Sequence, residues 1–349
     1  MRRIKQGIER VVAVTGQGYF PVLVRLSDGS LGAVIRGGAP HVGRAGRLDW
    51  IRSSDGGRTC TSPTVIVDSE WDDRNPAVGV MPDGAVVVAY AEASTYNARG
   101  EFDVNAGTYT PKFVVSTDAG GTWSPPQVVD TGPIPNGSPY GHIVVLRDGE
   151  ALMSLYQFPS ERTFTVRSRD GGRSWGELTT VPGHDETELL AARDGRVLGF
   201  IRAEGAQTHG LELTESRDGG RTWSQPVRIL QPSQWPAGAC ELRSGTILVT
   251  FGNRTGPFGV GVIASSDGGR TWRPEGGALL AWDCDNRDCG YPSTVQLDDE
   301  TIVTMYYAVG TAERPGVEQA IVLRYVESVL AADWPQSPHR GLGGVCGNP

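Results

Sequence analysis

Six segments of this 349-residue sequence begin or end on arginine, carboxylate, tyrosine or histidine and hold β-type apolar runs between. They are FPVLVRLSDGSLGAVIR from Phe20, NPAVGVMPDGAVVVAYAE from Asn75, YGHIVVLRDGEALMSLY from Tyr140, ETELLAARDGRVLGFIR from Glu186, WPAGACELRSGTILVTFGNR from Trp235 and YPSTVQLDDETIVTMYY from Tyr291. Each has an Asp-Gly-like turn between two runs and reads as a β-hairpin. The residue opening the first strand and the residue ending the second then meet at the end away from the turn. With six such hairpins around one axis, that end collects Phe20, Arg36, Arg74, Tyr90, Glu92, Tyr140, His142, Tyr156, Glu186, Arg202, Arg254, Tyr291 and Tyr306. Such a set makes a poor core. It makes a good pocket for an anionic, ring-shaped ligand, because guanidinium groups grip carboxylates through paired hydrogen bonds and aromatic rings cover apolar faces.

What must position these residues is visible in a second repeat. An octad occurs five times: SSDGGRTC from Ser53, STDAGGTW from Ser116, SRDGGRSW from Ser168, SRDGGRTW from Ser216 and SSDGGRTW from Ser265. The pattern is Ser-x-Asp-x-Gly-x-Thr/Ser-Trp, with Cys60 in the tryptophan position of the first copy. It describes a folded turn in which Asp accepts from nearby backbone N–H groups, Gly supplies a positive φ, and the aromatic tucks under a neighbouring strand. Copies recur roughly every 50–60 residues, the length of one four-stranded propeller blade. Six hairpins and five octads predict an all-β, six-bladed β-propeller over residues 1–336, its last blade without an octad and its ring closed by the segment ending near Tyr325. The Gly/Pro-rich tail, residues 337–349, is expected to be poorly ordered.

Composition agrees. Gly (48) and Pro (23) are spread along the chain, as short strands and tight turns require. The net charge is −8 with interleaved signs, so no basic stripe points to nucleic acid. No apolar run is long enough to span a bilayer. The N-terminus begins basic but lacks an apolar core segment, so no signal peptide is read, and a cytoplasmic protein is expected, or a secreted one whose signal was removed. Five cysteines, an odd count, do not form a disulfide framework. Cys284 and Cys289 flank a loop and could pair, whereas a metal site lacks a second Cys/His pair at ligand spacing.

The octads are similar to those of sialidases, where they are called Asp-boxes, and the resemblance covers nearly the whole chain. Three motifs extend it. Glu186 to Arg202 resembles the sialidase stretch with a glutamate and, sixteen residues on, a substrate-binding arginine. The resemblance implies that Glu186 polarises the nucleophile and Arg202 grips the substrate carboxylate. Gly290-Tyr291-Pro-Ser-Thr-Val-Gln-Leu resembles the strand carrying the family's tyrosine nucleophile, which implies that role for Tyr291. Arg254 in FGNR takes the place of a second carboxylate-binding arginine. A tyrosine suits an anionic sugar because a carboxylate nucleophile would repel it.

Two departures stand out. Sialidases usually open the first hairpin with Arg-Ile-Pro, whose arginine completes a triad on the carboxylate; here the triplet is Phe20-Pro-Val. Arg36 and Arg74 share the same rim and could substitute, although Arg74 could equally hold Asp72 or Asp73. The usual acid/base aspartate precedes the first Asp-box; here His41 stands at about that point, and histidine transfers protons near neutral pH. His142, on the rim, is a second proton-transfer candidate, and Asp185 or Glu188 could act in place of Glu186. The first expectation is a retaining exo-glycosidase acting on an acidic glycan without metal or organic cofactor. The alternatives are a hydrolase or lyase of another, uronic, acidic sugar and a non-catalytic carbohydrate-binding propeller.

Overall fold

The computed structural model describes residues 1–331 apart from residues 5, 158–159, 161, 204–209 and 273. The tail 337–349 therefore lies outside the described residues.

Each hairpin's first strand opens an antiparallel meander. These first strands are β1 (Tyr19–Arg25), β2 (Asp72–Val80), β3 (Ser138–Val145), β4 (Thr187–Ala191), β5 (Gln234–Glu241) and β6 (Cys289–Gln296). An Asp-Gly-type turn follows, as at Asp28-Gly29, where Leu26 N–H donates to the Ser30 carbonyl and Asp28 Oδ1 accepts the Ser30 N–H. In five meanders the third strand ends on the octad's serine, for example Tyr109–Ser116 and Gly259–Ser265. The described residues form five sheets. The meanders from β2 and β3 share one of eight strands, joined by parallel β2/β3 pairing at Ala77–Gly141 and Val78–His142. Contacts between first strands run β1 to β2 and onward to β6, which returns to β1, so the fold is an all-β, propeller-like arrangement around an axis.

Ring closure differs from expectation. Arg314–Tyr325 is the third strand of the last meander, and its outer partner is Glu9–Thr15 from the N-terminus, paired from Glu9↔Arg324 to Thr15↔Gln319 with a slip between Val12 and Val14. An edge strand near the C-terminus needs a partner for its N–H and C=O groups, and the N-terminal strand supplies it.

Core packing follows the period-two alternation of strands buried on both faces. Val86 and Val88 pack with Val34 and Trp50 of the first sheet, while Val87 and Ala89 pack with Met153 and Leu155 on the other side. The octads pin the lower end. Ser168 Oγ donates to Asp170 Oδ1 (2.8 Å) and accepts the Gly172 N–H (2.9 Å). Asp170 also accepts the N–H groups of Arg173 and Ser174 and the Ser174 hydroxyl. Trp123, from the second octad, sits edge-on against Trp50 of the preceding sheet at 5.4 Å.

These donors affect acid stability. Backbone and hydroxyl groups of Thr122 hold the Asp118 carboxyl down at about 2. At Asp218 burial pushes upward, but Thr222 and Ser216 still bring it to about 2. Folded values below unfolded ones mean stabilisation present above about pH 4 and lost as pH falls through the folded values. The melting temperature is therefore expected to fall steeply between about pH 4 and pH 2, and Asp118→Asn should flatten that limb. An unchanged slope in the variant would show that the octads do not set the acid limit.

Candidate active site

The end opposite the octads is shaped by local strain. Phe20, Asn75 and Tyr291 each precede a proline and have φ of 51°, 52° and 48°. At the same points the pairing slips, between Tyr19 and Val22, Arg74 and Ala77, and Gly290 and Ser293. Such bulges turn a side chain out of the strand's alternation, and non-glycine residues at positive φ each cost about 1–3 kcal/mol, so packing must hold them there. The turned rings meet across the axis, with Phe20 and Tyr291 centroids 4.8 Å apart. Gly290, with φ of 104°, allows β6 to reach this point, since a Cβ there would stand 2.7 Å from Gly252 Cα of the meander that β5 opens.

Tyr291 Oη donates to Glu186 Oε1 at 2.6 Å. Arg202 Nη1 donates to Glu186 Oε2 (2.8 Å) and to Tyr291 Oη (3.3 Å), and its Nε lies 3.3 Å from Asp185 Oδ2. The Arg254 guanidinium lies over the Tyr291 ring, 5.2 Å from its centroid, oriented by a bond from Nε to the Cys289 carbonyl. Arg254 Nη2 is buried without a hydrogen-bond partner among the described residues. Burial first, then the Glu186 charge, raises the Tyr291 pKa well above that of free tyrosine, against the opposing pull of Arg202 and Arg254. The phenol is thus neutral at rest, with Glu186 accepting its hydrogen bond.

On the first-sheet side, His41 Nδ1 lies 2.7 Å from Asp288 Oδ1, which also accepts the Tyr307 hydroxyl at 2.6 Å. Phe20 packs edge-on against His41 at 4.9 Å, and Arg74 lies 5.9 Å from the Phe20 ring. Arg74 also donates to Asp72 Oδ2 at 3.3 Å, so it borders the site while tied to its own strand.

Several expectations are corrected. Arg36 is fully buried and cannot grip a substrate: it donates to Asp72 Oδ1 and to the carbonyls of Ala39, Pro40 and Gly43, and so clamps the His41 loop. His142 lies across the axis rather than facing substrate. Its Nδ1 meets Glu188 Oε1 at 2.5 Å and its Nε2 meets the Leu23 carbonyl at 2.9 Å, leaving no nitrogen for a ligand or for the base of a lyase. Burial lowers its pKa, but the Glu188 carboxylate and the Leu23 carbonyl raise it above the free value. Glu188 is thus occupied as well, and Gly141 beside it has no room for a side chain, since a Cβ would stand 2.0 Å from Glu188 Oε2. Tyr90 and Tyr306 are core residues packed between sheets, and Glu92 pairs with Lys112 at 2.6 Å. Tyr307, one position past Tyr306, faces the mouth instead. Strand alternation carried that signal, whereas nothing near Asp288 in the sequence marks it as a partner of His41. Tyr140 bridges to the Ala237 carbonyl (2.8 Å), and Tyr156 accepts from Asn75 Nδ2 (2.7 Å). Cys284 and Cys289 are buried free thiols, and no cluster of three or more metal-ligating side chains occurs among the described residues.

A sequence profile of the BNR repeat-like domain matches residues 68–305, more than half of the chain. The chain belongs to this family. Among solved structures, it is similar to a protein of unknown function from Dyadobacter fermentans, at 20% identity and a TM-score of 0.79 over 92% of this chain and 99% of that one. It is also similar to the NanB sialidase from Streptococcus pneumoniae (13% identity, TM-score 0.70, 93% of this chain and 71% of that one). The sialidase of Trypanosoma rangeli matches at 15% identity and a TM-score of 0.68 over 93% of this chain, which spans 60% of that protein's length. The chain thus shares the fold of these two sialidases. No curated protein matches the sequence, and no described helix is long and apolar enough to cross a membrane.

Proposed function

We propose that this chain is a retaining exo-glycosidase of sialidase type, built on a six-bladed propeller and releasing a terminal ulosonic or related acidic sugar. The blade count rests on the closed cycle of six first strands, with the eight-stranded sheet taken as two blades. The observation that carries the function is the 2.6 Å bond from Tyr291 Oη to Glu186 Oε1, bracketed by Arg202 and Arg254. The two arginines hold the sugar's carboxylate. Tyr291 attacks the anomeric carbon as Glu186 takes its proton, His41 protonates the leaving oxygen, and water then cleaves the tyrosyl intermediate. The sialidase names of NanB and the T. rangeli protein support this reading at the level of fold.

Release of fluorophore from an aryl α-sialoside tests it. Arg254→Ala should raise KM by roughly 10–100-fold, the loss of hydrogen bonds to a charged group, with a smaller effect on kcat. A second reading is favoured by Phe20: an aromatic ring occupies the place of a carboxylate-binding arginine, which suits a different acidic sugar, such as a uronic acid. Turnover of a uronide and none of the sialoside would select it, and an unsaturated product would mark a lyase.

A further inference from the structure

We propose that Asp288, itself held by Tyr307, is a positioning residue that sets His41 as the acid and base of the reaction. The inference rests on the glycosidase reading above and adds to it a residue 247 positions away in sequence. The contact is fixed from both sides. On one side, Asp288 N–H donates to Asn286 Oδ1 at 2.7 Å and Val309 N–H donates to the Asp288 carbonyl at 3.0 Å, so the backbone cannot swing. Tyr307 donates to the same carboxylate oxygen that meets His41. On the other side, the loop carrying His41 is clamped by Arg36 through the carbonyls of Ala39, Pro40 and Gly43, and Arg36 is anchored on Asp72. The rings of Tyr19, Phe20 and Tyr307 enclose the imidazole at 5.7, 4.9 and 6.4 Å.

His41 Nε2 has no partner among the described residues, and the side chain is 35% exposed. The Phe20 and Tyr307 rings border both His41 and Tyr291, which places the two residues at the same end of the ring of strands. A carboxylate on Nδ1 fixes the ring's orientation and stabilises its cation, leaving Nε2–H as the donor. In the first step, Nε2–H passes its proton to the glycosidic oxygen as the C–O bond breaks. The Tyr291 oxygen bonds to the anomeric carbon and its proton goes to Glu186. In the second step, neutral His41 takes a proton from water, whose oxygen attacks the anomeric carbon and displaces Tyr291, which regains its proton from Glu186. Asp288 stays ionised throughout: burial works against its charge, but His41, Tyr307 and the Arg254 cation hold its pKa below the ordinary carboxylate value.

The test uses the full chain and two sialosides, one with a nitrophenyl leaving group that departs without protonation and one with a sugar leaving group that needs it. Asp288→Asn, an isosteric change, should lower kcat/KM against the sugar-linked substrate about 100-fold. Its kcat/KM against the nitrophenyl sialoside should change less than about 5-fold, while kcat and KM there fall together because the second step still needs the base. His41→Ala should show the same split and recover nitrophenyl turnover with added azide, while Tyr307→Phe gives a smaller version. Equal losses of kcat/KM on both substrates, or no loss on either, would overturn the proposal. Should the wild type turn over no acidic glycoside, the function above fails, and ¹⁵N NMR of the histidines decides the pairing alone. At alkaline pH, wild-type His41 is expected as the Nδ1–H tautomer and Asp288→Asn as the Nε2–H tautomer. The same tautomer in both would show that Asp288 does not set the ring.

Discussion

Tyr291→Phe is expected to lower kcat against an aryl sialoside by at least about 10³-fold while leaving binding of a non-hydrolysable acidic sugar within a factor of about three. The variant removes one oxygen, the attacking atom of the proposed reaction. The proposed carboxylate grip is that of Arg202 and Arg254, which keep their anchors: Arg202 donates to Glu186 Oε2 at 2.8 Å, and Arg254 is oriented by the Cys289 carbonyl rather than by the phenol. The phenol's raised pKa makes Glu186 necessary as proton acceptor, so Glu186→Gln should fall by a similar factor even though an amide can still accept the tyrosine's hydrogen bond. Steady-state kinetics paired with calorimetric titration of the sugar reads both quantities. A binding propeller without chemistry predicts equal binding by wild type and variant and turnover by neither. Substantial residual activity in Tyr291→Phe would move the nucleophile elsewhere.

The second large effect is structural. Asp72→Ala should destabilise the fold by about 3–5 kcal/mol, because it strands a charge rather than removing a contact. Arg36 and Asp72 are both fully buried. Asp72 accepts from Arg36 Nε and Nη2, from Arg74 Nη1 and from the Tyr96 hydroxyl at 2.7 Å. With it gone, the Arg36 guanidinium keeps only the three loop carbonyls as partners and has no counter-charge. The double variant Arg36→Met/Asp72→Ala should recover part of the loss, since removing both charges is far less costly than isolating one. Urea denaturation of the three variants measures this, and an additive double variant would contradict the coupling. Because Arg36 also clamps the loop of His41, Asp72→Ala should lower kcat even under conditions where it is folded.

The elements were legible in the sequence because their signals are local. Period-two apolar runs, Asp-Gly turns and the Ser-x-Asp-x-Gly octad act over fewer than about ten residues, through hydrogen bonds that each turn makes with itself. The pairing of Tyr291 with Glu186 was legible through the resemblance to sialidases, whereas hairpin geometry placed both only at one end of the ring, among many other polar and aromatic side chains. The same counting misplaced Tyr90 and Tyr306, because alternate side chains of a second strand take opposite faces, and both of these point between sheets rather than toward the axis.

What the sequence alone determined is thus the repeating β architecture, the end of it that carries polar side chains, and the tyrosine, glutamate and two arginines gathered there. Tertiary structure alone decided which charged groups remain available for a ligand. Arg36 and His142 have the right chemistry for a substrate, but Asp72 with the Ala39, Pro40 and Gly43 carbonyls and Glu188 with the Leu23 carbonyl occupy their donors. Asp288 has no local mark of function and becomes the partner of His41 only because ring closure brings the last sheet beside the first. A buried charge takes whatever partner the fold sets within reach, and that choice is made by packing across the whole ring rather than by neighbours in the chain.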